Sequence, residues 1–347
     1  MYLVKQHLTL IHCCVIILAE RSTCLQDAWS HTVTTRLLYI STPQFGVPSL
    51  RLLAQDSRFE LAGVLTQPDK PAGRGLKLTP PPIKVAALEL GLKVLQPHNL
   101  RTTETQAAIQ KLDPDLIAVA AYGLWIPDQV FDLPPKRSLN LHPSLLPRHR
   151  GAAPVLSTIL AGETKAGLSV LFVEDEMDEG DLLAQMTVPI GPQETTASIM
   201  SRLAEVGAPF FADTLAGWAA GEITPQVQDH SQATWVDRLE KKDGLIDWKE
   251  PAAKLALRCR AFSPWPGIFT FFDNRRLLIH QVTAITSPDK LPSDAEPGTV
   301  LKLDSRIAVI CGQGALLLDK VQLESKRCLA IDDFVRGQRN FIGTKLG

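Results

Sequence analysis

The chain has 347 residues, of which 45% are hydrophobic and 21% are charged, and this length is enough for about two domains with a substantial core. These values are typical of globular proteins and exclude a disordered or fibrous chain. The formal net charge is only −1, so the chain as a whole is neither a polycation nor a polyanion.

The near-neutral total hides an uneven distribution of charge. Residues 36–240 carry 23 acidic and 17 basic side chains, whereas residues 241–347 carry 12 acidic and 17 basic ones. A basic C-terminal part is typical of a protein that meets a polyanionic partner. An ordinary solvated surface is the simpler explanation of so small an excess, unless a motif supports the partner.

The six cysteines form no CxxC pair, and no Cys/His spacing resembles a zinc site. We therefore expect no metal and a reducing compartment, the cytoplasm. The apolar run LTLIHCCVIILA (residues 8–19) is too short to span a bilayer, so no membrane association is expected. We interpret residues 1–35 as an extension outside the fold rather than as a targeting segment.

From Arg36 onward, short apolar stretches alternate with amphipathic ones. Strands are predicted at residues 36–41, 60–66, 93–97, 116–123, 138–142, 168–173 and 182–190. Helices are predicted at residues 47–56, 82–91, 155–162 and 196–221, with another that ends near residue 109. This alternation predicts an α/β protein with a doubly wound, mostly parallel, Rossmann-like sheet, in which ligands bind beyond the carboxyl ends of the strands.

The pattern changes after residue 222. Residues 223–240 are polar and are predicted to form a linker. Residues 241–347 contain short alternating strands separated by turns, which predict a small β-barrel, OB-like, or a sandwich. The predicted organisation is therefore an extension at 1–35, an α/β domain at 36–222, a linker at 223–240 and a β domain at 241–347.

Common nucleotide and calcium motifs are missing. The first strand is followed by STPQFG instead of GxGxxG, and there is no GxxxxGK loop, so nucleotide cofactors are disfavoured. The acidic segment EDEMDEGD (174–181) lacks the ligand spacing of a calcium loop. Most of its carboxylates are expected to be solvated, but the segment follows a predicted strand, where a side chain can enter a site.

A loop of about sixteen residues, TQPDKPAGRGLKLTPPP (66–82), separates a predicted strand from a helix. It carries Lys70, Arg74 and Lys77 against a single acidic residue, Asp69. Loops of this length within compact domains are usually functional, so we expect the three cations to contact a substrate. The alternative is a flexible surface insertion.

The stretch LNLHPSLLPRHRGAAP (139–154) contains the most specific signal. Alternate residues of a strand share a face, so Asn140 and His142 project together while Leu139 and Leu141 pack on the other side. Pro143 is expected to end the strand. A lone strand histidine is usually structural, but a carboxylate delivered from EDEMDEGD would favour a catalytic role.

An Asn, a His and an Asp suit the transfer of an acyl group to an amine. The Asn amide and a protonated imidazole can donate hydrogen bonds to the oxyanion of a tetrahedral intermediate. The Asp can orient the imidazole, keep it charged and accept a proton through water. No Ser or Cys nucleophile is needed when the acceptor is itself an amine.

These motifs closely resemble the signature of the 10-formyltetrahydrofolate-dependent formyltransferases, which places NLHPSLLPRHRGAAP and MDEGD together. RGAAP, TQPDKPAGRG, IDW (246–248) and RAFSPWPG (260–267) are similar to the members of that family that act on methionyl-tRNA. The resemblance extends from about Arg36 to the end of the chain. It implies a formyltransferase fold in residues 36–222 and a tRNA-binding β-barrel in residues 241–347.

The resemblance also implies roles for individual residues. Asn140, His142 and Asp178 would be the catalytic trio, and Lys70, Arg74 and Lys77 would meet the acceptor end of the tRNA. Contact with the folate is implied for Ser144, Leu145, Leu146, Pro147, Tyr122 and Gly123. The implied reaction moves the formyl group of 10-formyltetrahydrofolate to the α-amino group of methionine on initiator tRNA, and we expect a monomer.

Other functions, and the partners of two arginines, stay open at this level. The same trio would serve a relative that formylates glycinamide ribonucleotide or a nucleotide sugar, or a formyltetrahydrofolate hydrolase. A tRNA- or folate-binding protein without catalysis is disfavoured because the trio is intact. Arg148 and Arg150 would face either tRNA phosphate or the acidic loop.

Overall fold

A computed structural model of the protein describes residues 34–72, 75–236, 239–287, 292 and 295–347. Predicted extension residues 1–33, like Gly73 and Arg74, lie outside this description. The first strand begins at Thr35, one residue earlier than predicted, and pairs there with Phe59. Among the described residues, no helix is both long and apolar enough to cross a bilayer, and no three His, Cys, Asp or Glu side chains form a group suited to a metal.

In its described residues, the α/β part contains ten strands and six α-helices. The strands are β1 Thr35–Ser41, β2 Phe59–Leu65, β3 Lys70–Ala72, β4 Lys77–Thr79, β5 Val94–Leu95, β6 Leu116–Ala120, β7 Ser138–His142, β8 Arg150–Gly151, β9 Lys165–Phe172 and β10 Leu182–Pro189. The helices are α1 Val47–Leu53, α2 Pro82–Glu89, α3 Thr103–Gln110, α4 Asp128–Phe131, α5 Pro154–Leu160 and α6 Thr196–Ala219.

The main sheet has seven strands in the order β10-β9-β7-β6-β1-β2-β5. The five strands from β7 to β5 are parallel to one another. Helices cover both faces, because buried residues of α1, α2, α5 and α6 join one core cluster and those of α3 and α4 join another. The prediction of a doubly wound, mostly parallel sheet is therefore confirmed.

Strand β9 departs from the expected direction. It runs antiparallel to β7, with His142 opposite Ser169 and Leu139 opposite Phe172. The acidic loop that follows β9 therefore starts at the amino end of β7, where Val173 N–H donates to the Ser138 carbonyl at 2.9 Å. The loop leaves the carboxyl end of its own strand, as predicted, but this end lies beside the amino end of β7, because neighbouring antiparallel strands run in opposite directions.

The short strand β11 Trp235–Val236 lies in the predicted linker and pairs parallel with β8, and the C-terminal part that follows forms an antiparallel sheet. The elements of that part are α7 Ala252–Ala261, β12 Ile268–Phe272, β13 Arg275–Ile285, β14 Val300–Leu303, β15 Arg306–Ile310, β16 Ala315–Leu323, β17 Leu329–Ala330 and α8 Ile331–Gly337. Strand order is β12-β13-β16-β15-β14, and β17 pairs with β16. The predicted domain of antiparallel strands is confirmed.

The last residues of the chain lie between the two edge strands of this sheet. Gly343 N–H donates to the Val300 carbonyl of β14 at 2.8 Å, and Gly347 N–H donates to the Phe271 carbonyl of β12 at 3.4 Å. This segment supplies backbone partners to edges that would otherwise be open to another chain. It thereby brings the sheet close to the barrel that the sequence predicted.

Candidate active site

Strand β7 places Asn140 and His142 on one face of the main sheet. Leu139 and Leu141 project to the other face and are fully or almost fully buried in the larger core cluster. Burial of each leucine stabilises the fold by about 1.5–3 kcal/mol, which holds the register of the strand. Pro143 follows, and because proline lacks an N–H it cannot continue the ladder. The predicted shared face is therefore observed.

His142 is 5% exposed and is held through both ring nitrogens. Nε2 lies 3.1 Å from the carbonyl oxygen of His149, and Nδ1 lies 3.4 Å from Oδ1 of Asp178. Both neighbours are acceptor oxygens, an arrangement that suits the doubly protonated imidazolium. The Nδ1 contact is longer than an ordinary hydrogen bond, so Nδ1 is the less tightly held of the two ring nitrogens.

Asp178 reaches His142 from the acidic loop, which folds back over the face that carries Asn140 and His142. Its backbone is in the left-handed region, with φ of 58°, which Asp tolerates better than most residues. Oδ2 accepts the Gly151 N–H at 2.8 Å while Oδ1 faces His142. The structure thus brings Asp178 and His142 together, although the acidic loop arrives from the unexpected edge.

Glycine is required at position 151. Its φ is 104°, which side chains rarely adopt, and a Cβ there would lie 2.7 Å from the Val236 carbonyl oxygen of β11. The close approach comes from the pairing of β8 with β11. A side chain at position 151 would therefore displace both the linker strand and the N–H that holds Asp178.

Asn140 is partly exposed, between the buried residues on either side of it in β7. Within the described part of the chain, no protein hydrogen bond engages its side-chain amide. The amide is therefore available to an incoming ligand, next to the imidazole that shares its face.

The SLLP turn after Pro143 is tightly organised by polar contacts. Oγ of Ser144 donates to the Arg148 carbonyl at 2.8 Å, and Ser169 of β9 bonds both the Ser144 carbonyl and the Leu146 N–H. Leu145 packs against Gly167, where a Cβ would lie 2.3 Å from its Cδ2 atom. Leu146 is 3% exposed and Pro147 is partly buried. The turn is thus a rigid wall next to His142.

Tyr122 and Gly123 follow strand β6. Because β6 is parallel to β7, they lie at the same edge of the sheet as the carboxyl end of β7. The Tyr122 carbonyl accepts from Oγ1 of Thr42 at 2.8 Å and from Nε2 of Gln67 at 2.7 Å. The Tyr122 hydroxyl is buried without a hydrogen-bond partner among the described residues, and burial raises the pKa of Tyr122 to about 12. This neutral hydroxyl is therefore a free donor below the surface.

An open cavity of about 490 Å³ is lined in part by residues 125–129, which follow Gly123 in the chain. Its lining includes Arg101, Trp125 and Asp175, the last of which belongs to the acidic loop. Asn140, His142 and Asp178 do not line this cavity, so the candidate catalytic residues lie outside it. Its volume is in the range of small-molecule sites, and Trp125 offers an exposed aromatic surface.

The two arginines after the turn have different environments. Arg150 is 1% exposed, and its NH1 lies 2.8 Å from Oε1 of Glu179 in the acidic loop. Arg148 is half-exposed and pairs with Glu163, which follows α5. Arg150 therefore pairs with the acidic loop, whereas the acidic partner of Arg148 is Glu163 and lies outside that loop.

The basic loop forms a short ribbon in which β3 pairs antiparallel with β4. Nζ of Lys70 donates to Oε1 of Gln67 at 2.5 Å, which ties that ammonium to the base of the ribbon. Lys77 is exposed on β4, between the exposed side chains of Leu76 and Leu78. Arg74 lies outside the described residues. Of the three predicted cations, Lys70 and Lys77 are both exposed on the described ribbon, and Lys70 is the one that bonds Gln67.

Sequence reasoning missed the part that the linker plays. Gln228 is buried against the acidic loop, and Trp235 lies above Arg150 with its ring centroid 5.5 Å from the guanidinium carbon. Gln228 lies among exposed residues in a mainly polar segment, so neither composition nor periodicity distinguishes it. Its partners are remote in sequence and become visible only in the folded chain.

Two family models match the chain. The model described as formyl transferase matches residues 37–215, and the model described as formyl transferase, C-terminal domain, matches residues 238–339. A methionyl-tRNA formyltransferase of Roseiflexus castenholzii is 42% identical over 91% of this chain and 100% of its own length. One of Geobacter sulfurreducens is 39% identical over 90% of this chain and 96% of its own.

Solved structures share the fold at lower identity. HypX from Aquifex aeolicus in complex with tetrahydrofolic acid has a TM-score of 0.58 at 20% identity and covers 89% of this chain and 48% of its own. The sugar 3N-formyl transferase WlaRD, with dTDP and 5-N-formyl-THF, has a TM-score of 0.60 at 15% identity. The match covers 85% of this chain and 99% of WlaRD. Methionyl-tRNA formyltransferase from Clostridium thermocellum has a TM-score of 0.52 at 17% sequence identity. The match covers 76% of this chain and 98% of that chain.

Proposed function

The chain belongs to the formyltransferase family, and on that premise we propose that it transfers a formyl group from 10-formyltetrahydrofolate to the α-amino group of methionine on initiator tRNA. The observation that carries the proposal is the contact of His142 with Asp178 beside the free amide of Asn140. This trio supplies two hydrogen-bond donors and one carboxylate, the groups that acyl transfer to an amine requires.

The Asn140 amide and the His142 Nδ1–H donate to the formyl oxygen as it becomes an oxyanion. A tetrahedral intermediate forms when the neutral amine adds to the formyl carbon, and the new C–N bond remains when the bond to N10 of the folate breaks. Removing one such donor typically lowers the rate by roughly 10²–10³. The fixed SLLP turn and the anchored ring of His142 lower the cost of aligning these donors.

Asp178 handles the proton balance. The attacking amine loses one proton, and the departing N10 gains one. The Asp178 carboxylate accepts the proton of the amine through water, returns it through water to N10 as the C–N10 bond breaks, and stabilises the charge on His142. The Gly151 N–H holds the carboxylate in place at 2.8 Å, so that its other oxygen stays directed at the imidazole.

Folate is proposed to lie along the SLLP turn and the Tyr122–Gly123 segment. The buried Tyr122 hydroxyl is a free donor, and the following residues lead to the cavity lined by Trp125 and Arg101. Bound tetrahydrofolate or formyltetrahydrofolate in the structures of HypX and WlaRD supports a folate as the formyl donor. The residue assignments, Ser144, Leu145, Leu146 and Pro147 included, are part of this proposal.

The tRNA is proposed to contact the ribbon around Lys70, Arg74 and Lys77 and the basic C-terminal sheet. Residues 241–347 contain 17 basic against 12 acidic side chains, and such an excess favours contact with phosphates. The methionyl-tRNA formyltransferases at about 40% identity over nine-tenths of the chain support this acceptor over a nucleotide or a sugar. We place the reaction in the cytoplasm, in keeping with the cysteine usage.

The direct test is to incubate the purified protein with 10-formyltetrahydrofolate and methionyl initiator tRNA and to measure formyl-methionine. Its formation at a rate that depends on both substrates is expected. Formylation of a free nucleotide or nucleotide sugar without formyl-methionine would refute the proposed acceptor. Release of formate without any acceptor would indicate a hydrolase instead.

The role of Arg74 has its own test. The Arg74→Ala variant is expected to raise KM for the tRNA more than KM for the folate, with binding that weakens as the salt concentration rises. Equal effects on both substrates would refute a tRNA contact by that loop.

A further inference from the structure

Gln228 is a buried side chain within an exposed part of the linker. It is 4% exposed, whereas Gln226, Val227, Asp229 and His230 around it are all exposed. Its Nε2 donates to the carbonyl oxygens of Asp178 at 2.9 Å and of Gly180 at 2.7 Å. One linker amide therefore holds the backbone of the acidic loop on both sides of Glu179.

The orientation of this amide is determined by its partners. NH2 of Arg150 donates to Oε1 of Gln228 at 2.8 Å. A guanidinium can only donate and a backbone carbonyl can only accept, so the oxygen of Gln228 must face Arg150 and its nitrogen must face the loop. Neither end of the side chain can exchange places with the other without losing every bond.

These contacts form a network of hydrogen bonds and one ion pair around Asp178. Arg150 bonds Gln228 and pairs with Glu179, while Gln228 bonds the residues that flank Glu179. Arg150 is followed at once by Gly151, whose N–H holds Oδ2 of Asp178. The same network therefore fixes both the backbone of Asp178, with its φ of 58°, and the direction of its carboxylate.

We propose that Gln228 is a positioning residue for formyl transfer, which acts by holding Asp178 against His142. It rests on the proposed function only in that Asp178 takes part in the reaction. The linker would then contribute to the active site in addition to joining the two domains, since β11 of the same segment also pairs with β8 beside the site.

The test compares two linker variants of the same chemistry. Gln228→Met keeps the length of the side chain and removes its hydrogen bonds, whereas Gln226→Met makes the same change at an exposed position two residues away. We expect Gln228→Met to lower kcat by roughly 10- to 100-fold with little change in either KM, because a small displacement of a catalytic group has effects of this order. Gln226→Met is expected to match the wild type. Equal kcat values for the two variants would overturn the proposal.

A third variant separates the loop from Arg150. Gln228→Glu keeps an acceptor for Arg150 but directs a carboxylate oxygen at the two loop carbonyls, so it is expected to be as slow as Gln228→Met. Recovery of the wild-type rate by Gln228→Glu would assign the effect to Arg150 and overturn the role in holding the loop.

A double-mutant cycle with Asp178→Asn distinguishes positioning from general loss of stability. If Gln228 acts through Asp178, Gln228→Met adds almost nothing to the low kcat of Asp178→Asn. The same fold-loss in both backgrounds would show independent action and refute the proposal. Circular dichroism and Tm of each variant establish that the compared proteins are folded.

The wild type by itself tests the proposed function. If it formylates an amine other than methionyl-tRNA, the proposed acceptor is wrong, and the same variants measured on that amine still decide the role of Gln228. If methionyl-tRNA is formylated but the cycle is additive, the proposed function stands and the inference about Gln228 fails.

Discussion

Arg150 and Glu179 form an ion pair of 2.8 Å in which the arginine side chain is only 2% exposed. Each residue lies in a stretch whose composition is that of a solvated surface. Their pairing joins the turn after β7 to the acidic loop, and it explains why a strongly charged segment can place the carboxylate of Asp178 beside the buried imidazole of His142.

The Arg150–Glu179 pair should contribute more to the free energy of unfolding than the Arg148–Glu163 pair. Arg150→Met leaves Glu179 with only its longer contact to His230, and Gln228 without its donor, so the free energy of unfolding should fall by about 3 kcal/mol. Arg148→Met, in the same turn, removes only a half-exposed pair and should cost less than about 1 kcal/mol. Urea denaturation of both variants measures the difference, and equal midpoints would contradict it.

His142→Ala should lower kcat by at least roughly 10², because it removes an oxyanion donor and the partner of Asp178, while folate binding persists. His98→Ala, at an exposed position, is the matched control and should retain full activity. Steady-state kinetics and folate titration measure the two effects.

His142 also anchors the His149 carbonyl, so its loss could disturb the turn. His142→Gln retains an amide that can donate to this carbonyl. A folded and fully active His142→Gln protein would contradict the catalytic role, whereas a folded and inactive one agrees with it.

Asn140→Asp replaces a donor with a carboxylate of nearly the same size. Negative charge next to the forming oxyanion should reduce kcat by roughly 10²–10³, with KM for both substrates little changed. Asn99→Asp is a suitable control, since Asn99 uses its oxygen to accept the Arg101 N–H and aspartate keeps that acceptor. A rise in KM alone would mean that Asn140 binds substrate without favouring the transition state.

Lys77→Ala should weaken tRNA binding and leave folate binding unchanged, because Lys77 is exposed on the ribbon beside the site. If one phosphate contact is lost, the slope of log K against log salt should become shallower by about 1. Lys93→Ala, an exposed lysine before β5, is the control with an unchanged slope. Binding at several salt concentrations checks both, and identical slopes for wild type and Lys77→Ala would refute the contact.

Much of the site could be predicted because its signals are local. Alternation places Asn140 and His142 on one face whatever the rest of the fold does, and Pro143 ends the strand by lacking an N–H. The order of strands and helices from residue 36 was predictable for the same reason, since periodicity of apolar residues reports directly on which side of an element is buried.

By itself, the sequence determined the α/β class and the C-terminal domain of short strands, since each follows from patterns a few residues long, whereas the grouping of Asp178 with Asn140 and His142 was implied by the family resemblance. Only the tertiary structure decided that β9 runs antiparallel, that Asp178 returns across the sheet face, and that Arg150 and Gln228 hold it there. These outcomes depend on contacts between residues remote in the chain. Burial and hydrogen-bond partners of such residues arise only when the strands, the loop and the linker are packed together.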